Sequence, residues 1–349
     1  GASDLATRIN QAHSPNSGDA VRIDLNACEL NLLPKLKGVS GVHADIPLTT
    51  QTVTLSNSTL AKTNDAIKMS FDGQTAFTPL NGNVADGNSK VVALLDSGVE
   101  TNHPALGSGK ILNGACFSTA SNGGTGFCPN GQNTDTASSN AARSCVDAWS
   151  GTRTEALQAG CGHGTAMAGA IGMNYNVSNV TTKGIAPNVQ ILPVQIFAQS
   201  TSSSGKSLSA SSGDLLAGIE WITREAQRRR NASLSPIVAM NLSLGGGSYT
   251  SACDSDYVGS LFKTAFTNLR AQGVLPIVAA GNGGTTNAVT FPACVSNVLA
   301  VSAAKLGYNG LASYSNFSAQ TKLIALGGDV DGSGRYLMPM VCSPVGAYD

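Results

Sequence analysis

Three polar residues of this chain sit where a reaction could be staged. Asp96 directly follows the apolar run Val91-Val92-Ala93-Leu94-Leu95 and precedes Ser97-Gly98. His163, one of only four histidines, lies in Gly160-Cys161-Gly162-His163-Gly164-Thr165-Ala166-Met167-Ala168-Gly169, where flanking glycines let another backbone approach the imidazole. Asn282 follows the apolar residues 274–280 and stands among Gly281, Gly283 and Gly284. A carboxylate can orient an imidazole, an imidazole can take and return a proton, and an uncharged amide can donate to an oxyanion. Each also has a plain structural use, since Asp-Ser-Gly and Asn-Gly form turns and a histidine in a glycine-rich turn can be structural. A fourth stretch, Asn241-Leu242-Ser243-Leu244-Gly245-Gly246, ends an apolar run in glycines and offers a backbone edge to an extended peptide.

These residues need elements to bring them together. Short apolar runs at 91–95, 189–197, 237–244, 274–280 and 298–301 have the continuous hydrophobicity of parallel strands covered on both faces. Helices are expected between them, over 164–172, 212–229 and 257–272. The second carries Leu215, Leu216, Ile219 and Ile222 on one face and arginines at its C-terminal end, where cations suit the helix dipole. This alternation predicts an α/β fold, a parallel sheet with helices on both faces. Ligands of such sheets sit at the carboxyl ends of the strands, where Asp96, Asn282 and the Ser243–Gly246 stretch fall. Two segments break the rhythm: 106–160 reads as a surface insertion pinned by disulfides, and 200–212 as a serine-rich loop. Ahead of the main domain (89–349), residues 1–50 read as a small α+β strand–helix–strand unit and 51–88 as a linker.

Composition narrows the possibilities. Lys+Arg and Asp+Glu are both 21, so the net charge is zero, which excludes a general nucleic-acid binder. No apolar run reaches the ~18 residues of a membrane span, and 42% hydrophobic residues exclude a disordered chain. The start, GASDLATRIN, lacks a charged-then-apolar export pattern, so an export signal is expected to have been removed or left out. Eight dispersed cysteines without a CxxC pair point away from zinc and toward disulfides, hence a secreted or periplasmic location. Cys253 and Cys294 flank the Asn282 segment and could pair. Cys116, Cys128, Cys145 and Cys161 could make two bridges, leaving Cys28 and Cys342 free or partnered elsewhere. A nucleotide-binding α/β protein is disfavoured, because no G-x-G-x-x-G follows the first strand of the main domain and no G-K-[ST] opens a helix.

In order along the chain, V-A-L-L-D-S-G-V, G-H-G-T-x-M-A-G, N-L-S-L-G-G and V-A-A-G-N resemble the subtilisin-type serine proteases. Gly184-Ile185-Ala186-Pro187 and Leu311-Ala312-Ser313-Tyr314-Ser315-Asn316-Phe317 resemble further segments of that family, so the likeness runs over about 89–318. The resemblance implies roles. Asp96 would orient the imidazole, His163 would be general base and then acid, and Asn282 would donate to the oxyanion. Ser243, Leu244, Gly245, Gly246, Ala279, Ala280 and Gly281 would form the specificity pocket walls and the substrate-pairing strand. It implies protein or peptide substrates and no cofactor for catalysis, with structural calcium possible at 172–177 or, less favourably, 329–334.

The family's nucleophile lies in a G-T-S-M-A motif that does not occur here; Ser343, followed by Pro344, is a poor substitute. The expectation is a nucleophile segment beyond the residues shown, associated with this chain as its C-terminal remainder. Leu33-Pro34-Lys35-Leu36-Lys37-Gly38-Val39 resembles the end of a family propeptide, so residues 1–50 are expected to be propeptide-like and the chain a precursor or fragment. A catalytically silent, peptide-binding relative is the second expectation.

Overall fold

Apolar runs of five or six residues lose their contact with water by lying side by side, and the computed structural model stacks them into one sheet. It describes residues 45–50, 87–120, 124–177, 180–203, 205–305 and 310–327, together with Leu5. In chain order, strand β1 is Thr49–Thr50, β2 Val91–Asp96, β3 Ala115–Phe117, β4 Thr125–Gly126 and β5 Thr134–Asp135. Helices α1 (Arg153–Ala159) and α2 (His163–Gly172) follow, then strands β6 (Asn174–Val177), β7 (Val180–Lys183), β8 (Gln190–Gln195), β9 (Phe197–Ser202) and β10 (Gly205–Ala210). Helix α3 (Ser212–Asn231) leads to β11 (Ile237–Leu242) and β12 (Leu244–Tyr249). Helix α4 (Tyr257–Ala271) precedes β13 (Leu275–Ala279), β14 (Val289–Phe291), β15 (Leu299–Ala304) and β16 (Leu323–Leu326).

The main sheet has eight strands in the order β16-β15-β13-β11-β2-β8-β3-β5. Its neighbours run parallel, except the short β3–β5 pair. Alternation along β2 divides the core. Val91, Ala93 and Leu95 join the larger cluster with Leu215, Ile219, Phe262 and Phe266 of α3 and α4. Leu94 joins the smaller one with Ala168 of α2. The predicted α/β architecture is therefore present, with α2 on one face and α3 and α4 on the other. Register places Ala239 beside Val92, Leu275 beside Ala239, and Ile277 beside Leu299. These residues share the α2 face, yet Leu275 is 36% exposed and Leu323 48%. α2 packs against β2 and β8, leaving the β13–β16 half of that face only partly covered.

Capping explains where the helices begin. Ser211 accepts from the Asp214 amide at the start of α3, and Arg228, Arg229 and Arg230 occupy its last turn. Thr152 and Glu155 close a reciprocal capping box on α1. Helix α2 has no side-chain cap; its start is fixed by contact with the end of β2. A Cβ at Gly164 would lie 2.2 Å from the Gly98 carbonyl oxygen and 3.2 Å from the Asp96 Cβ, so only glycine permits this approach.

Several expectations are corrected. The 106–160 segment is not wholly a surface insertion: Ala115, Cys116 and Phe117 are buried in β3 beside β8, because the apolar triplet completes the sheet past β8. The supposed loop at 200–212 is largely a hairpin, with β9 and β10 paired from Phe197↔Ala210 to Ser202↔Gly205; alternating serines tolerate a half-exposed antiparallel ladder. The run 237–244 is two strands divided at Ser243. Residues 174–177 pair with 180–183 as a hairpin. Among the described residues, three disulfides are present: Cys116–Cys128, Cys145–Cys161 and Cys253–Cys294. Cys28, Cys342, Ser343, the 329–334 stretch and the expected elements before Asp45 lie outside the described residues, as does nearly all of the expected linker. No helix among the described residues is long and apolar enough to cross a membrane.

Replacing Gly164 with alanine is expected to push α2 off the end of β2 and lower stability by about 1–3 kcal/mol, measured as a reduced urea midpoint at unchanged m-value.

Candidate active site

The carboxyl end of β2 and the N-terminus of α2 deliver their polar residues to one point. Asp96 is 1% exposed and His163 5%. The imidazole Nδ1 lies 2.8 Å from Asp96 Oδ1 and 2.9 Å from Oδ2. An ionised carboxylate can only accept, so the proton in this pair sits on Nδ1, and Nε2 presents its lone pair. The Asp96 carboxylate is held in turn by the Ser97 amide, which donates to Oδ1 at 2.7 Å. His163 Nε2 is buried and has no hydrogen-bond partner among the described residues. An oriented imidazole with a free basic nitrogen in a dry setting is equipped to take a proton from a hydroxyl.

The Asn282 loop leaves the end of β13, two strands from β2. Asn316 braces it at four points. Its Oδ1 accepts from the Gly283 and Thr285 amides at 2.8 and 3.2 Å. Its Nδ2 donates to the Ala280 carbonyl at 3.3 Å, and its amide donates to the Gly281 carbonyl at 2.9 Å. Asn282 itself is half-buried, at the end of this braced turn. Sequence reasoning noted Asn316 only as part of a segment resemblance. The brace is long-range, 31 to 36 residues away, and no local pattern announces it. Ser97 was likewise missed as a bridge: its hydroxyl donates to the Cys161 carbonyl at 3.2 Å and accepts from the Gly164 amide at 3.0 Å.

Within the Ser243–Gly246 stretch, the backbone edge of Leu244 and Gly245 is paired by the chain itself. β1 pairs antiparallel with β12, Thr49 opposite Gly245 and Thr50 opposite Leu244. One residue earlier, Leu48 pairs with Ala210 of β10, with both amide–carbonyl bonds at 2.9 Å. The segment thus runs between two strands. The Leu48 side chain is completely buried, and Asp45 accepts from the Ser212 amide at 2.8 Å and from its hydroxyl at 2.6 Å, at the start of α3. Gly246 admits the segment closely, since a Cβ there would meet the Pro47 carbonyl oxygen at 2.2 Å. The Ser243 hydroxyl accepts from Asn241 Nδ2 at 2.9 Å, and Ser243 does not pair with β1. Ala279 belongs to β13, and the Ala280 carbonyl accepts from the Thr290 amide and from Asn316. Leu244, Gly245 and Ala210 thus pair with residues 48–50 of the chain itself, and the Asn282 turn departs from residues 279–281.

The Subtilase family of S8 peptidases matches residues 87–342. Alkaline protease 1 of Aspergillus flavus is 33% identical over 170 residues, covering 48% of this chain and 35% of that protein. The extracellular protease of Xanthomonas campestris pv. campestris is 30% identical over 251 residues, covering 70% of this chain and 38% of that protein. The match thus spans little more than a third of either relative. A solved protease structure from Pseudoalteromonas arctica superposes with a TM-score of 0.52 at 21% identity, over 80% of this chain and 79% of that one, which shows a shared fold. With the family matched over most of its length and the aspartate and histidine converging at the rim of a parallel sheet, the chain belongs to the subtilase family.

Proposed function

We propose that this chain provides the substrate cleft and proton-transfer pair of a secreted subtilisin-type serine endopeptidase working through an acyl-enzyme, in precursor form. The observation that carries the reading is the buried Asp96–His163 pair whose Nε2 has no partner among the described residues. In this mechanism a serine hydroxyl from outside the described residues approaches Nε2. Nε2 takes its proton as the oxygen attacks the scissile carbonyl, and the resulting imidazolium is stabilised by Asp96. The carbonyl oxygen becomes an oxyanion facing the Asn282 amide, which donates without adding charge. His163 then protonates the leaving amine, the acyl-enzyme forms, and water repeats the sequence to release it. No metal or cofactor takes part in these steps.

The precursor reading is supported by the Asp45–Thr50 segment. An extended strand paired on both sides, with one fully buried leucine, is how a peptide is held by strand addition. Residues 1–50 are read as a propeptide-like unit whose tail occupies the cleft. The dispersed cystines fit an oxidising, extracellular setting, and an extracellular protease is among the relatives.

A fluorophosphonate probe on the natural polypeptide that contains this chain tests the enzyme. A single serine adduct is expected, absent in His163→Ala. A folded protein that binds peptides yet never labels would instead be a silent peptide-binding relative. Asp96→Asn, which allows the wrong imidazole tautomer, is expected to cut kcat on the order of 10⁴-fold with KM little changed, a magnitude borrowed from the general Ser-His-Asp triad. Leu48→Asp is expected to expel the segment, because an unpaired carboxylate cannot stay in an apolar pocket. The Leu48 and Ala210 amides should then lose hydrogen-exchange protection, and peptide turnover should rise.

A further inference from the structure

We propose that the Cys145–Cys161 disulfide, acting with Ser97, is a positioning device for the Asp96–His163 pair rather than only a staple of the chain. The inference rests on the reading of that pair as the proton-transfer site. Cys161 is two residues before His163, and its sulfur is bonded to Cys145. The Cys145 amide donates to the Ser97 carbonyl at 3.1 Å, and Ser97 follows Asp96 directly. The Ser97 hydroxyl closes the figure, donating to the Cys161 carbonyl and accepting from the Gly164 amide. Ser144 adds a second hydroxyl on the Cys161 carbonyl at 3.1 Å. Gln195 of the neighbouring strand fixes the Ser97 carbonyl from the other side at 2.7 Å.

The residue after the carboxylate and the two residues flanking Gly162-His163 are therefore tied to each other and to Cys145. The tie is continued by backbone. Val99 donates to the Ala142 carbonyl at 3.0 Å, and a Cβ on Gly98 would meet the Arg143 carbonyl oxygen at 2.0 Å. Residues 142–145 are thus wedged against the exit of β2, and the cystine carries that wedge to the start of α2. Both cysteines are fully buried, so the constraint is permanent in the folded state. By contrast, Cys253–Cys294 encloses a longer stretch, 41 residues against 16, and none of its backbone hydrogen bonds reaches Asp96, Ser97 or His163: the Cys253 amide donates to the Cys294 carbonyl. A role limited to constraining the unfolded chain would make the two bridges alike in kind. A positioning role separates them.

The experiment uses the full chain with ¹⁵N-labelled histidine, the His163 lines being identified by their absence in His163→Gln. The readout is the rate at which the His163 Nδ1 proton exchanges with water, observed on its downfield resonance. Cys145→Ala/Cys161→Ala is expected to speed that exchange about ten-fold or abolish the line. Cys253→Ala/Cys294→Ala is expected to lower the urea midpoint while leaving the line in place. Equal exchange rates in the wild-type chain and Cys145→Ala/Cys161→Ala would overturn the proposal. If that double variant does not fold, Ser97→Ala decides: faster exchange upholds the inference and an unchanged rate overturns it. Absence of the line from the folded wild-type chain would remove the Asp96–His163 reading itself, and the proposal with it, an outcome distinct from a line that no variant disturbs.

Discussion

The contact between Asp96 and His163 is the constraint to which the rest of the site answers. A carboxylate that is 1% exposed is tolerable only when its charge is met by donors, and here the imidazole Nδ1 and the Ser97 amide supply them. The two partners are 67 residues apart, so local folding cannot bring them together. The parallel sheet fixes the end of β2, α2 packs against β2 and β8, and the missing side chain at Gly164 allows backbone to touch backbone. Remove any one of these and the carboxylate is left buried without its partner.

The order of elements was largely legible in the sequence because a strand covered on both faces is a continuous apolar run. Residues 91–95, 274–280 and 298–301 fall in β2, β13 and β15 within a residue or two, and the amphipathic stretches became α3 and α4. What stayed illegible depends on partners distant along the chain. Ala115, Cys116 and Phe117 look like an apolar fleck in a polar insertion until β8 is beside them. The serines of β9 and β10 resemble a loop until each finds its opposite number. The same holds at the site. Asp96, His163 and Asn282 carry visible local signatures, whereas Asn316 and Ser97 look like ordinary polar residues and take their meaning from bonds made across 30 to 70 positions. The pairing among the four central cysteines was open in the sequence for the same reason.

The Asp45–Thr50 segment links fold and function in the proposed reading. It is held by means that differ in kind: backbone pairing to Ala210, Leu244 and Gly245, apolar burial of Leu48, and a carboxylate at the start of α3. Backbone pairing is indifferent to side chains, so it supplies adhesion. The leucine pocket and the helix terminus supply direction and register, because shifting the strand by one residue would turn Leu48 out of its pocket.

The groove between β10 and β12 carries a further implication for whatever enters it. Leu48, Thr49 and Thr50 lie extended there, and at about 3.3 Å per residue that is a stretch of some 10 Å with no internal turn. Neither a helix nor a strand already built into another sheet can satisfy this without first coming apart. Under the proposed reading, the groove therefore accepts extended backbone and turns away backbone already committed to a helix or to another sheet.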